Sequence, residues 1–185
     1  MGAAGLKIVV PRSPIQAKGL LLAAARDANP TLVLEPKILY RSAVEHVPEG
    51  DFALPLGAAE TLARGADATL LTWGPPVYRC EAALALLRDP PPTLRAHVPE
   101  RLRGAQVELI DLRSILPWDV DAVTESVRRT GRLIIVHEAA HTAGVGAEIA
   151  AEVQRRCFLK LHAPVRRVAG WECVPPSAIL DERGC

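Results

Sequence analysis

His137 and Glu138 directly follow the apolar run Leu133-Ile134-Ile135-Val136, with His141 close behind. An apolar run of that kind suits a strand buried on both faces of a parallel sheet. In open α/β sheets, sites form outside the carboxyl ends of such strands. A His/Glu pair placed there can pass a proton. The same pair can instead cap the next helix or pair across a subunit interface, and the motif alone does not choose. Thr142-Ala143-Gly144-Val145-Gly146 lies between this strand and a helix starting near Val145. Helix N-termini offer free N–H groups to phosphates. The dinucleotide-binding pattern, however, needs a third glycine where Ile149 stands, and several residues separate the loop from the strand. A tight turn opening a helix is the reading the spacing supports.

Asp27 and Asn29 close an earlier helix, where carbonyls lie free, and such an oxygen cluster can hold a hard cation. The competing reading is an ordinary helix stop with Asn29 before Pro30. Glu35-Pro36-Lys37 reads as a surface ion pair or a turn. Leu116-Pro117-Trp118-Asp119 reads as a loop that puts Asp119 at a helix N-cap and packs Trp118 over the helix start. Nucleophile-elbow, P-loop and metalloprotease patterns are absent from the sequence.

The elements that must carry these residues alternate. Lys7 to Val10 is a short strand stopped by Pro11, and Ser13-Pro14 sets a cap and a first helical proline before a helix through Ala25. Thr31 to Leu34 is a second strand, followed by a polar loop from Glu35 to Arg41. Pro48, Gly50, Pro55 and Gly57 sit among charges, so a domain boundary is placed near Leu56. Beyond it come a strand at Ala68–Trp73, a helix at Val77–Leu87, and a Pro- and Arg-rich surface insertion from Asp89 to Arg103. A strand at Gln106–Leu112, a helix from Asp119 to Thr130 with Gly131 as its C-cap, the buried strand, a helix at Val145–Cys157 and a last strand at Val165–Val168 complete the order. Roughly β-β-α-β-α-β-α-β, this order predicts an α/β fold with a mostly parallel sheet and right-handed crossovers.

The bulk figures narrow the function. The 185 residues are 49% apolar with a net charge of +1, so a sizeable core is available, while nucleic acid and anionic membrane surfaces find no matching field. Cys80, Cys157, Cys173 and Cys185 form neither a C-x-x-C pair nor a zinc-ligand spacing, and a reducing compartment fits them. The longest apolar runs are too short to span a bilayer, and neither a secretory signal nor a transit peptide is visible.

Several segments together carry a specific resemblance. They are Val10-Pro11-Arg12-Ser13-Pro14, Gln16-Ala17-Lys18-Gly19-Leu20-Leu21, and Glu35-Pro36-Lys37-Ile38-Leu39-Tyr40-Arg41. Further along come Ile110-Asp111-Leu112-Arg113, Leu116-Pro117-Trp118-Asp119, Thr130-Gly131-Arg132 and His137-Glu138-Ala139. In this order, from about Gly5 to Gly170, the chain resembles the C-terminal part of the thiamine-dependent beta subunit of the branched-chain 2-oxoacid dehydrogenase (3-methyl-2-oxobutanoate dehydrogenase). Glu35–Arg41 and His137–Ala139 look closer to the branched-chain branch than to the pyruvate branch.

The resemblance implies an architecture: residues 1–56 as the tail of a pyrimidine-binding α/β domain, and residues 57–185 as a three-layer domain like the transketolase C-terminal domain. It implies a heterotetramer with an alpha subunit and a second beta subunit, and docking to a dihydrolipoyl acyltransferase core. Thiamine diphosphate and Mg2+ belong to that whole assembly. The activity implied is oxidative decarboxylation of branched-chain 2-oxoacids with acyl transfer to lipoyl groups. The address implied is the mitochondrial matrix if the source is eukaryotic, and the cytoplasm otherwise. A partial K+ site maps onto Ala24, through its carbonyl, and onto Asp27 and Asn29. The family's catalytic glutamate and histidine would lie upstream of Met1, so this chain is expected to supply no catalytic residue and to be inactive alone. The family's aromatic tail and final helix have no counterpart after Trp171-Glu172, so the chain is expected to be clipped or altered at both ends. The alternatives are a non-catalytic module that binds at the subunit interface and a truncated gene product without activity.

Overall fold

The computed structural model describes residues 4–170. The first strand, β1 (Lys7–Val9), leads into α1 (Pro14–Arg26), which starts as its sequence dictates. Ser13 keeps extended backbone and its hydroxyl accepts from the Gln16 N–H at 3.4 Å, while Pro14 occupies a first-turn position whose N–H would have lacked a partner anyway. β2 (Thr31–Val33) pairs with β1 in parallel. Residues 37–40, expected as open loop, wind into a 3-10 turn. The coil after it lies back on α1: the Leu54 N–H donates to the Gly19 carbonyl at 3.0 Å, and Lys18 Nζ donates to the carbonyls of Pro48, Glu49 and Gly50. A Cβ at Gly19 would fall 2.7 Å from Leu54 Cγ, so only glycine admits this approach.

Beyond the coil come β3 (Glu60–Ala63), β4 (Ala68–Thr72), α2 (Pro76–Arg88), β5 (Val107–Asp111), β6 (Ser114–Leu116), α3 (Val120–Thr130), β7 (Leu133–Ala140), α4 (Val145–Cys157) and β8 (Arg166–Gly170). Five of these strands form one sheet in the order β3-β5-β4-β7-β8, in which only the β3–β5 pairing is antiparallel. Successive side chains alternate between its faces. Leu71, Ile110, Leu133 and Ile135 meet Val123 and Val127 of α3 and Ile149 and Val153 of α4. Leu70 and Leu109 meet Cys80 and Leu84 of α2 on the other face. The three layers that the resemblance implies are therefore present, with helices on both sides of the mostly parallel sheet that the element order predicts. Burying one large aliphatic side chain contributes about 1.5–3 kcal/mol, so the α3/α4 face, with Leu71, Ile135, Ile149 and Val153 fully enclosed, dominates the core.

The caps of α3 follow expectation: the Asp119 carboxylate accepts from the Ala122 N–H at 3.0 Å, and Gly131 takes the left-handed conformation with φ 68°. Two elements depart from expectation. Leu116 does not lie in a loop; it ends β6, a three-residue strand that pairs antiparallel with β1 and joins a second sheet, β2-β1-β6. Arg113, with φ 54°, turns the chain between β5 and β6. β7 also runs past Val136 to Ala140, because β8 continues to pair with it there, so His137 and Glu138 lie inside the strand. The boundary drawn near Leu56 falls in coil before β3. The expectations for Cys173–Cys185 and the missing final helix lie outside the described residues. Among the described residues no helix is long and apolar enough to cross a membrane, and Cys80 and Cys157 are free and buried.

Candidate functional site

The ladder between β4 and β7 ends at Leu71 opposite Ile135. Two positions further, in the same register, Trp73 faces His137. Their rings stack at 5.5 Å between centroids with 10° between planes. His137 is 4% exposed, and neither ring nitrogen has a hydrogen-bond partner among the described residues. Burial pushes its pKa down, and the positive charge of Arg167 and a contribution from His141 push the same way. The ring's other neighbour is the start of α4. A Cβ on Gly144 would fall 2.8 Å from His137 Cε1, and one on Gly146 would fall 2.5 Å from Nε2. The glycines of the Gly144-Val145-Gly146 loop are thus there to let a helix turn lie on an imidazole. Gly144 caps α4 without any side-chain hydrogen bond. The loop is a tight turn and helix start, and Ile149, standing where a dinucleotide loop needs glycine, is fully buried.

The other residues that suggested proton transfer do not join His137. Glu138 and His141 are exposed, Glu138 because neighbours on a strand point to opposite faces. The His141 carbonyl accepts from Arg167 at 2.7 Å. The Glu35 carboxylate accepts from the Tyr40 hydroxyl at 2.8 Å rather than pairing with Lys37.

At the end of α1 the structure does bring Ala24, Asp27 and Asn29 together. The Ala24 carbonyl accepts from the Asp27 N–H at 3.3 Å. One Asp27 oxygen accepts from the Asn29 backbone N–H at 2.8 Å and from its side-chain amide at 3.0 Å. The other pairs with Lys7 Nζ at 2.5 Å. The Lys7 hydrogen bond, followed by the two from Asn29, brings the Asp27 pKa down to about 2. These oxygens suit a hard cation, but three residues supply about half the usual donors, and the Lys7 ammonium already serves the carboxylate.

A cluster that sequence reasoning missed ties the two sheets together. Asp111, with no exposed surface, accepts from Arg12 Nε at 3.0 Å, from Gln16 Nε2 at 2.9 Å and from the Arg113 N–H at 3.2 Å. Gln16 also donates to Glu60 at 2.8 Å, and Tyr78 donates its hydroxyl to the Arg12 carbonyl. Burial works against the Arg12 cation, but Asp111 and Glu60 outweigh it and hold its pKa above the ordinary value. The sequence signal was present, since Arg12, Gln16 and Asp111 all fall within the segments that carry the resemblance. A pairing across about a hundred residues has no local periodicity to reveal it.

A five-stranded sheet with one antiparallel edge, covered by α2 on one face and by α3 and α4 on the other, defines a three-layer α/β domain. Residues 57–182 match the family described as "Transketolase, C-terminal domain", and the chain belongs to that family. The chain is 52% identical over 180 residues to the mitochondrial 2-oxoisovalerate dehydrogenase subunit beta of Chaetomium thermophilum, covering 96% of this chain and 36% of that protein. It is 50% identical over 166 residues to the mitochondrial 2-oxoisovalerate dehydrogenase subunit beta 2 of Arabidopsis thaliana, covering 90% and 43%. The pyruvate dehydrogenase E1 component subunit beta of Bacillus subtilis is 39% identical over 173 residues, covering 93% and 49%. The chain therefore spans less than half the length of these relatives. Among solved structures, "Split gene transketolase, inactive beta4 tetramer" superposes with a TM-score of 0.67 at 23% identity, covering 95% of this chain and 51% of that one, and shows the same fold.

Proposed function

We propose that this chain acts as part of the beta subunit of a branched-chain 2-oxoacid dehydrogenase. The whole enzyme would decarboxylate branched-chain 2-oxoacids oxidatively and pass the acyl group to a lipoyl carrier. The observation that carries this reading is the difference in identity: 52% to a 2-oxoisovalerate dehydrogenase beta subunit against 39% to a pyruvate dehydrogenase beta subunit, over similar spans. In this reading residues 1–56 belong to a pyrimidine-binding domain and residues 57–185 form the transketolase-type domain. The domain's role is assembly, with an alpha subunit, a second beta subunit and the dihydrolipoyl acyltransferase core as partners. Within the chain itself, the Asp111 cluster fastens the β2-β1-β6 sheet to the larger one.

Thiamine diphosphate and Mg2+ would belong to the assembled enzyme, and no residue of this chain is assigned to them. K+ would be held in part by Ala24, Asp27 and Asn29. The eukaryotic relatives are named mitochondrial, which supports a matrix location for a eukaryotic source. The test is calorimetric titration of the isolated chain with thiamine diphosphate and Mg2+, alongside an assay with 3-methyl-2-oxobutanoate. Neither binding nor turnover is expected. Micromolar binding, or turnover by the chain alone, would overturn the assignment of the cofactor to the assembly.

A further inference from the structure

β1 and β2 are neighbouring parallel strands joined through α1, and the residues that follow them, 11–14 and 35–36, meet across a cavity. The carboxyl ends of such strands are where open α/β sheets form sites. Pro11, Pro14, Pro36 and Leu39 make the walls apolar. The volume of about 240 Å³ falls below the roughly 300–1,000 Å³ of small-molecule sites and suits one inserted side chain. Two charged residues line it, Arg12 and Glu35. Arg12 is already matched, by Asp111 at 3.0 Å and by Glu60 at 3.7 Å. Glu35 has no ion-pair partner among the described residues; only the neutral Tyr40 hydroxyl donates to it, to one of its two oxygens. That carboxylate raises the Tyr40 pKa, so the cavity wall carries an uncompensated negative charge. Leu34, Ile38 and Val44 each adjoin a lining residue in sequence and are at least half exposed, Val44 by 90%. Lys37, Arg41 and Glu45, all exposed, stand among them. An exposed apolar patch with a polar rim marks a protein–protein contact.

We propose that this surface docks a protein partner that inserts a lysine, flanked by aliphatic residues, into the cavity. The lysine stem lies along Pro14, Pro36 and Leu39, since such stems cover apolar surface while the ammonium stays on polar groups. The ammonium meets the free Glu35 oxygen and the Tyr40 ring, a charge-assisted hydrogen bond beside a cation–π contact. The flanking aliphatic residues cover Leu34, Ile38 and Val44. Lysine is favoured over arginine because a guanidinium fork needs both carboxylate oxygens and Tyr40 already holds one. Glu35 repels an acidic segment. The partner's identity rests on the reading proposed above: it is the alpha subunit.

The test mixes the full 185-residue chain with a branched-chain alpha subunit and adds a carbodiimide, which joins a carboxylate to an amine in contact with it. Mass spectrometry then identifies the linked peptides. Glu35 is expected to link to a lysine of the alpha subunit, and Glu35→Gln, a change at an exposed position, to weaken the complex about tenfold. A second arm titrates the chain alone with n-butylammonium, the lysine side chain cut free. It should shift the Tyr40 signals saturably at concentrations on the order of millimolar, while pentanoate should not, and Glu35→Gln should lose the response. A complex in which Glu35 stays unlinked, or links to a second copy of this chain, overturns the docking proposal and leaves the partnership standing. Absence of any complex overturns the partnership; if n-butylammonium still saturates, the cavity is a small-amine site and the protein occupant falls too. n-Butylammonium that fails to saturate, or that binds Glu35→Gln equally well, overturns the cavity's chemistry whatever the alpha subunit does.

Discussion

Trp73 and His137 stack face to face, 5.5 Å apart, on neighbouring parallel strands just beyond their last shared ladder position. The stack explains why α4 opens with glycines, since its first turn rests on the imidazole. Gly146→Val should therefore cost about 1–3 kcal/mol, the usual penalty for overpacking a core. Combining it with His137→Ala should recover part of that loss. A double-mutant cycle by urea denaturation measures the coupling. Purely additive losses would mean that the ring and the turn do not press on one another.

The same histidine makes stability depend on pH. Its folded pKa lies below the unfolded value of about 6.5, because burial and nearby positive charge disfavour the imidazolium. The folded state thus binds fewer protons than the unfolded state. The contribution is complete above about pH 6.5 and is lost as the pH falls from there toward the lower folded value. Unfolding midpoints recorded between pH 8 and pH 5 should drop on the acid side, and His137→Phe should flatten that drop. Identical profiles for the two proteins would remove His137 from the account.

Asp111 is a buried carboxylate with three nitrogen donors, and Arg12 is its charged partner. Removing one member of such a pair leaves the other uncompensated, at about 3–5 kcal/mol. Arg12→Ala is expected to lose that much in urea denaturation, and Arg12→Met with Asp111→Leu to lose distinctly less. If the single variant loses under about 1 kcal/mol, the cluster does not fasten the two sheets as described.

The outer edge of β2 carries Leu32, with Leu34 beside it, and both are about half exposed. Ile38 and Val44 in the following turn and coil are more exposed still. Unpaired strand edges with apolar side chains promote association. Sedimentation of the chain should show concentration-dependent association with binding of a hydrophobic dye, and Leu32→Lys should reduce both. A monomer that excludes the dye at all concentrations would contradict this.

The layers of the fold were legible because their signals are local. Ser13-Pro14, Asp119 and Gly131 announced helix ends, and Leu133 to Val136 announced a doubly buried strand. β6 was not legible: three residues before a proline carry no period, and their strand character comes from pairing with β1, far away in sequence. The site was half legible. His137 and the Gly144 loop stood out by residue type, and so did Asp27 and Asn29. Trp73 did not, because its meeting with His137 depends on the register of two strands separated by α2, β5 and α3. Adjacency in sequence pairs His137 with Glu138, but strand alternation sends the two side chains to opposite faces.

The central claim is the partnership with an alpha subunit of the branched-chain type. Native mass spectrometry of the chain mixed with such a subunit, and separately with a pyruvate dehydrogenase alpha subunit, tests it most directly. A heteromeric complex with the branched-chain partner, and none or a far weaker one with the other, is the predicted result. No complex with either, or equal complexes with both, would contradict it.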